Sequence, residues 1–234
     1  PTLIAWLKEY RPDALNESGQ LSVFDGWLCY HAKRKEAQRV AELWRVANLP
    51  LRGDDVGPRT LENFRAVAGA AEMVKAVTAF LADGKPPILV LVGVTGAGKS
   101  HMAEHVVRAT IERGLSARYE TAESFLERLR HTFNSKDEGD FSDAWDWYRR
   151  LWMLVLDDLG AQTARDPRWG QGQITRIVDE RSTDGSQTLV ISNLIQGEIR
   201  DAWGDRLCSR LFDVRSTAAR QVFVQAEDYR MRAR

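Results

Sequence analysis

The sequence predicts an α/β fold in which a parallel sheet is flanked by helices and preceded by a small helical N-terminal segment. Three observations predict it. The apolar runs ILVLV, LWMLVLD and QTLVIS have the length of strands buried on both faces of a parallel sheet. Stretches with helical spacing separate them, and that alternation marks a doubly wound sheet. Between the first run and the next helix lies GVTGAGKS, residues 93–100, which fits the phosphate-loop pattern G-x-x-x-x-G-K-[ST].

The chain is long enough for this at 234 residues, with room for an added segment. Apolar residues make up 44% and charged residues 28%, as in a globular protein. Net charge is zero, so no global basic field advertises nucleic acid, and DNA contact must come from local patches. No apolar run approaches membrane-spanning length and no signal peptide is visible, which reads as a cytoplasmic protein without a membrane partner. The chain begins at Pro1 rather than Met, so the missing targeting signal weighs little. Cys29 and Cys208 lie far apart, outside any CxxC, and read as reduced buried thiols. His31 beside Cys29 does not make a zinc site without further ligands.

Taken in order, Leu21, Phe24, Trp27, Leu28 and His31 recur at helical spacing, as do Val40, Leu43, Trp44 and Ala47. The basic stretch HAKRKEAQR between them reads as a solvated helix face. LPLRGDDVGPRT has linker composition, which sets the expected boundary: a helical partner-binding region at 1–55 and the catalytic domain at 56–234. Met73, Val74, Val77, Phe80 and Leu81 mark a helix face that Gly84 and the Pro86-Pro87 pair stop. After the glycine loop a helix runs through Arg113, with Gly114 as its stop. SARYET, LWMLVLD, QTLVIS and RQVFVQ are the remaining strands. QITRIVDE is helical, with Ile174, Ile177 and Val178 on one side. No internal repeat or low-complexity tract is present.

The glycine loop dictates a chemistry. Gly93, Val94, Thr95, Gly96, Ala97, Gly98, Lys99, Ser100 and His101 form the expected nucleotide cradle. Glycines let the backbone bend so that its N–H groups face phosphate oxygens, and the following helix adds its positive end. Lys99 is expected to reach the terminal phosphates, and the Ser100 hydroxyl to ligate Mg²⁺. LWMLVL ends in two adjacent acids. Asp157 at the strand end is expected to face the cation. Asp158 is either the group that orients or deprotonates an attacking water, or a helix N-cap or loop carboxylate. Asn193, at the tip of TLVISN, either helps to position that water or forms a turn. In WGDRLCSRLFD, Trp203, Leu207 and Leu211 form an apolar stripe, with Arg206 and Arg210 at i, i+4 beside it. Two guanidiniums on one helix face suit a phosphate oxyanion, or an ion pair such as Arg210 with Asp213.

In ESFLERLRHTFNSK, Arg128, Arg130, His131 and Lys136 surround a stripe of Phe125, Leu129 and Phe133. Cationic groups beside aromatic ones suit single-stranded DNA, and the same pattern describes an ordinary amphipathic helix. Trp145, Trp147, Tyr148 and Trp152 read as core and interface packing.

GVTGAGKSHMAEHVV, LVLDDLG, TLVISNL and GDRLCSRL, in that order, resemble the DnaC-type helicase loaders and the related IstB-type transposition ATPases. These are AAA+ proteins of the DnaA-related branch. The resemblance runs from about Thr60, where TLENFRAV is similar to the family's entry segment, to EDYR near the C-terminus. It implies Lys99 and Ser100 as Walker A, Asp157 and Asp158 as Walker B and Asn193 as sensor I. It also implies Arg210 as an arginine finger completing the neighbouring subunit's site, with Arg206 in the same box, and hence a homo-oligomer. ATP/ADP and Mg²⁺ are the implied cofactors. A lid with a sensor II arginine does not fit after Arg210. The implied partners are single-stranded DNA and a hexameric replicative helicase gripped by the N-terminal region, or a transposase on the IstB-like reading. A P-loop small-molecule kinase leaves Asn193 and the Arg206/Arg210 box unexplained. A purely structural nucleotide does not account for Lys99, Ser100 and Asp157 together. Asp rather than the Glu common in hydrolytic relatives stands at 158, so slow turnover is expected.

Overall fold

The protein is described by a computed structural model covering residues 23–50, 57–65, 69–133, 139–160, 167–213 and 218–226, with side chains from residue 32 on. By its contacts the chain divides into residues 1–45 and 46–234. The expected boundary between 55 and 56 lies outside the described residues.

The first unit contributes helix α1 (Val23–Val46), where the apolar spacing predicts one. Its basic stretch is exposed from residue 32 to 39. Acid and base meet one turn apart at Glu36–Arg39 (2.8 Å) and Glu42–Arg45 (2.6 Å), the pattern of a solvated helix. The side chains of Cys29 and His31 lie outside the described residues. Cys208 is a buried free thiol. Among the described residues no cluster of three or more His, Cys, Asp or Glu could hold a metal, and no helix is long and apolar enough to cross a membrane.

The second unit is built on a five-stranded parallel sheet: β1 (Ile88–Gly93), β2 (Ala117–Thr121), β3 (Met153–Asp157), β4 (Gln187–Ser192) and β5 (Ala219–Val224), in the order β2-β3-β4-β1-β5. β1, β3 and β4 are buried along nearly their whole length, as continuous apolar runs require of inner strands. The register sets Val92 beside Ser192 and Thr121 beside Asp157, so the polar residues ending three strands gather at one edge.

Helix α2 (Ala71–Asp83) buries Met73, Ala76, Val77 and Phe80. It stops where Gly84 turns left-handed (φ 64°) and its N–H returns to the Phe80 carbonyl at 3.0 Å. Helix α3 (Lys99–Glu112) leaves the glycine loop directly. Between β2 and β3 stand α4 (Ala122–Phe133) and α5 (Gly139–Arg150). Phe125 and Leu129 of the expected stripe are buried, whereas Phe133 is exposed. Trp145 and Tyr148 join the core, whereas Trp147 and Trp152 stay largely exposed, so the aromatic cluster splits between core and surface.

Helix α6 (Pro167–Thr183) buries Ile174, Ile177 and Val178 as predicted, and also Arg181. The Arg181 guanidinium donates to the carbonyls of Tyr148 (2.8 Å), Arg149 (3.0 Å) and Leu151 (2.8 Å). It thereby satisfies acceptors that the end of α5 would otherwise leave bare. Its Nε also reaches the Thr188 hydroxyl at 3.0 Å. The stretch around Trp203 is two helices, not one: α7 (Gln196–Trp203) and α8 (Asp205–Phe212). Gly204 breaks them with a φ of 87°, a region that glycine enters without a Cβ clash. Trp203, Leu207 and Leu211 still bury together. Among the described residues β5 is the last element.

Candidate nucleotide-binding site

A cavity of about 700 Å³ opens at the carboxyl edge of the sheet, where ligands of α/β sheets bind. Thr95, Gly96, Gly98, Lys99, Ser100 and His101 line it from the glycine loop, Asp157 and Asp158 from the end of β3, and Asn193 from the tip of β4. Gly93 and Val94 contribute through their carbonyls, and Ala97 is buried beneath the loop.

Gly96 and Gly98 have φ of 81° and 86°, the left-handed turns that fold the loop back on itself. Phe64 closes over Gly98, whose Cβ, if present, would lie 2.7 Å from the ring. The Lys99 ammonium is held by three acceptors: Gly93 O (2.6 Å), Val94 O (2.8 Å) and Asn193 Oδ1 (2.7 Å). Burial lowers its pKa from the ordinary lysine value, while Asp157 and Asp158 pull it back upward. His101 faces Thr60, its Nε2 2.7 Å from that carbonyl, and packs edge-on against Phe64.

Asp157 is buried, and both of its oxygens are engaged. Oδ1 accepts the Asp158 N–H at 2.7 Å, and Oδ2 accepts the Tyr119 hydroxyl. Burial first, then the charge of Asp157 and that hydrogen bond, push the Tyr119 phenol far above its usual range, so it remains a donor. Asp158 is exposed and left-handed, with φ 54°. The following turn is pinned to β4: Leu159 N–H donates to Ile191 O (2.8 Å), and the Ser192 hydroxyl donates to Leu159 O (2.5 Å). Trp203 adds a bond from Nε1 to Gly160 O at 2.9 Å. Asn193 Nδ2 then lies 3.5 Å from Asp158 Oδ1. The Asn193 side chain thus touches both Lys99 and Asp158.

Arg206 and Arg210 do not line this cavity. Both reach Asp179 of α6: Arg206 through Nε (3.0 Å) and Nη2 (2.8 Å) to Oδ2, and Arg210 through a close but poorly aligned ion pair to Oδ1 (2.6 Å). Asp179, not Asp213, is the acid these arginines meet. Arg128 and Arg130 also have partners within the chain. Arg128 pairs with the fully buried Glu120 at 3.2 Å, and the Arg130 guanidinium sits 5.0 Å from the centre of the Trp169 ring. Lys136 lies outside the described residues.

Sequence reasoning passed over several contributors. Gly57, Arg59, Asn63 and Phe64 line the cavity, although the first two fall within the stretch read as linker. Arg59 is fixed by an ion pair with buried Glu104 (3.2 Å) on α3, an acid on the inner face of that helix that was itself a signal. Tyr119 lines the cavity too. Its signal was a phenol set between Arg118 and Glu120 in the strand SARYET. Asp179 had no local signal, because its partners are 27 and 31 positions away.

The sequence model of the family described as IstB-like ATP binding protein matches residues 16–234. A replicative helicase loader DnaC from Buchnera aphidicola subsp. Acyrthosiphon pisum is 25% identical over 142 residues, covering 61% of this chain and 53% of that protein. The chain therefore spans about half the length of this relative. The solved DnaC helicase loader superposes with a TM-score of 0.61 at 18% identity, covering 74% of this chain and all of the other. The replication initiator DnaA bound to AMPPCP and single-stranded DNA gives 0.61 at 22%, covering 72% of this chain and 51% of that one. At these identities the solved structures show the fold alone, an AAA+ P-loop core.

Proposed function

The chain belongs to the IstB-like ATP-binding protein family, and from that premise we propose that it is a slow, Mg²⁺-dependent ATPase that loads a replicative helicase on DNA. One observation carries the catalytic part: Lys99, Asp157, Asp158 and Asn193, from three separate strand ends, line one cavity. Lys99 would exchange its carbonyl partners for phosphate oxygens, a stronger charge-assisted bond. Asp158, exposed and unshielded beside Asn193, would accept a proton from water that the amide orients.

The donor set fits Mg²⁺. Asp157 and Asp158 bring carboxylates to the cavity and Ser100 a hydroxyl, and Mg²⁺ is typically bound by one or two carboxylates plus substrate phosphates. Asp157 and Ser100 would hold it, and it would supply neutralisation of charge on the phosphate oxygens.

Arg210 is more than half exposed on α8, as a finger serving a second copy of the chain must be. The DnaC relatives support the helicase partner, and the DnaA neighbour, solved with single-stranded DNA bound, supports that ligand. Residues 1–55 are proposed as the partner-binding region. Arg128 and Arg130 would meet DNA only with the faces their intrachain partners leave free. A second reading, an ATPase assisting a transposase, is favoured by the IstB-like family match itself.

The catalytic reading is tested by equilibrium ATP binding and turnover in the wild-type chain and Lys99→Ala. Loss of binding in the variant is expected, and undiminished affinity would remove the assignment. The partner is tested with the full chain as bait against purified hexameric helicase and purified transposase. Retention of the transposase alone would overturn the helicase reading.

A further inference from the structure

β2 is an edge strand of the sheet, yet the outward side of Tyr119 is not bare. Its N–H donates to Ala47 O at 2.8 Å, and its carbonyl accepts from Asn48 Nδ2 at 2.9 Å. Arg118 beside it donates to Val46 O at 2.6 Å, and Asn48 Nδ2 also reaches Glu120 Oε2 at 3.0 Å. Ala47 is fully buried, and Asn48 turns the chain with φ 55°, a conformation that Asn adopts more readily than most residues. Residues 46–48 therefore strap the edge of β2 across Arg118, Tyr119 and Glu120, and at Tyr119 both backbone groups are taken up.

The side chain of the same residue enters the nucleotide cavity. Thr121 is the register partner of Asp157, so Tyr119, two residues earlier, shares the face of Asp157. Its hydroxyl donates to Asp157 Oδ2 while the Asp158 N–H holds Oδ1, and the carboxylate is fixed at both oxygens. Groups that orient a ligating carboxylate tune its affinity for a cation without touching the cation.

We propose that Tyr119, clamped by Ala47 and Asn48, is a positioning residue that sets the affinity of Asp157 for the divalent cation accompanying the nucleotide. The inference rests on the ATPase reading above and adds a residue to it. It also ties the stretch that follows α1 to the cation site through one residue.

The test measures binding of a fluorescent ATP analogue to the full chain, in EDTA and across Mg²⁺ concentrations. Tyr119→Phe should bind within about twofold of wild type in EDTA. Its half-saturating Mg²⁺ concentration should rise about tenfold, the low end for such orienting partners. Asn48→Ala should shift the Mg²⁺ half-point in the same direction by a smaller factor. Added to Tyr119→Phe it should give no further shift, because both act through one carboxylate. An unchanged Mg²⁺ half-point in Tyr119→Phe overturns the proposal, as does an equal loss of affinity with and without Mg²⁺. Wild type that binds no nucleotide would overturn the ATPase reading itself; wild type that binds beside an unaltered Tyr119→Phe overturns this inference alone.

Discussion

Lys99 donates to Asn193 at 2.7 Å, which ties the phosphate loop after β1 to the tip of β4. β1 and β4 are neighbouring parallel strands, so the contact spans two elements whose spacing the sheet already fixes. Asn193 has a second contact, at 3.5 Å, with Asp158. One amide thus touches both the cation that would hold phosphate and the acid that would act on water.

Asn193→Ala should separate those two jobs. Lys99 keeps two carbonyl partners, so ATP affinity should stay within about threefold of wild type. Turnover should fall about 10²-fold, the cost of losing one preorganised polar group at a reacting centre. Equilibrium binding beside steady-state turnover distinguishes the effects. An equal fall in both would mean that Asn193 only supports Lys99.

Asp179→Asn bears on the arginine pair. The side chains of Arg206 and Arg210 are 76% and 54% exposed, whereas that of Asp179 is 13% exposed, so the pairs are partly shielded and exceed the about 1 kcal/mol limit of a fully exposed pair. Thermal stability should therefore fall modestly without loss of the fold. If Arg210 completes the site of a neighbouring subunit, Asp179 competes with that engagement. The variant should then reach half-maximal specific activity at several-fold lower protein concentration, and Arg210→Ala should lose activity at all concentrations. Superimposable activity-against-concentration curves for Asp179→Asn and wild type would refute this competition.

Arg181→Met tests the fold. Arg181 is fully buried; burial lowers its pKa to about 9 while the charge of Asp184 pulls it back upward, and a ring of carbonyl acceptors holds the guanidinium. Methionine leaves those carbonyls without donors at the end of α5. A buried acceptor left without its donor costs about 1–3 kcal/mol, so the set should cost a few kcal/mol, on the order of 10 °C of melting temperature in a chain of this size. Chemical denaturation measures it, and a loss below about 1 kcal/mol would contradict the capping role.

The fold was legible because its three inner strands are largely apolar runs, the first of them bounded by Pro86-Pro87 and Gly93. QTLVIS is the strand β4 residue for residue, and Gly84 ends α2 as its position predicts. The phosphate loop and the two acids were legible because their chemistry is local in sequence. Contacts across long separations were not: Tyr119 and Asp157 are 38 positions apart, and Asn48 and Tyr119 are 71 apart. Gly204 falls within one apolar stripe in the sequence, because Trp203, Leu207 and Leu211 keep their spacing although the helix breaks between them. The stretch with linker composition supplies Gly57 and Arg59 to the cavity wall, since composition does not record what a loop packs against.

Asp158 offers the sharpest remaining prediction. Its φ of 54° is a conformation that Asp and Asn adopt far more readily than Glu, so the shorter acid suits the backbone as well as the cavity. Asp158→Asn preserves the turn and the contact distance to Asn193 but removes the base. Turnover should fall by about 10²–10³-fold with ATP affinity and melting temperature nearly unchanged. Asp158→Glu restores a base on a longer arm and strains the turn by an amount on the order of 1 kcal/mol. If the shorter acid is what keeps turnover slow, Asp158→Glu should turn over faster than wild type. Turnover at or below that of Asp158→Asn would show instead that the site is built around the shorter acid and its left-handed turn.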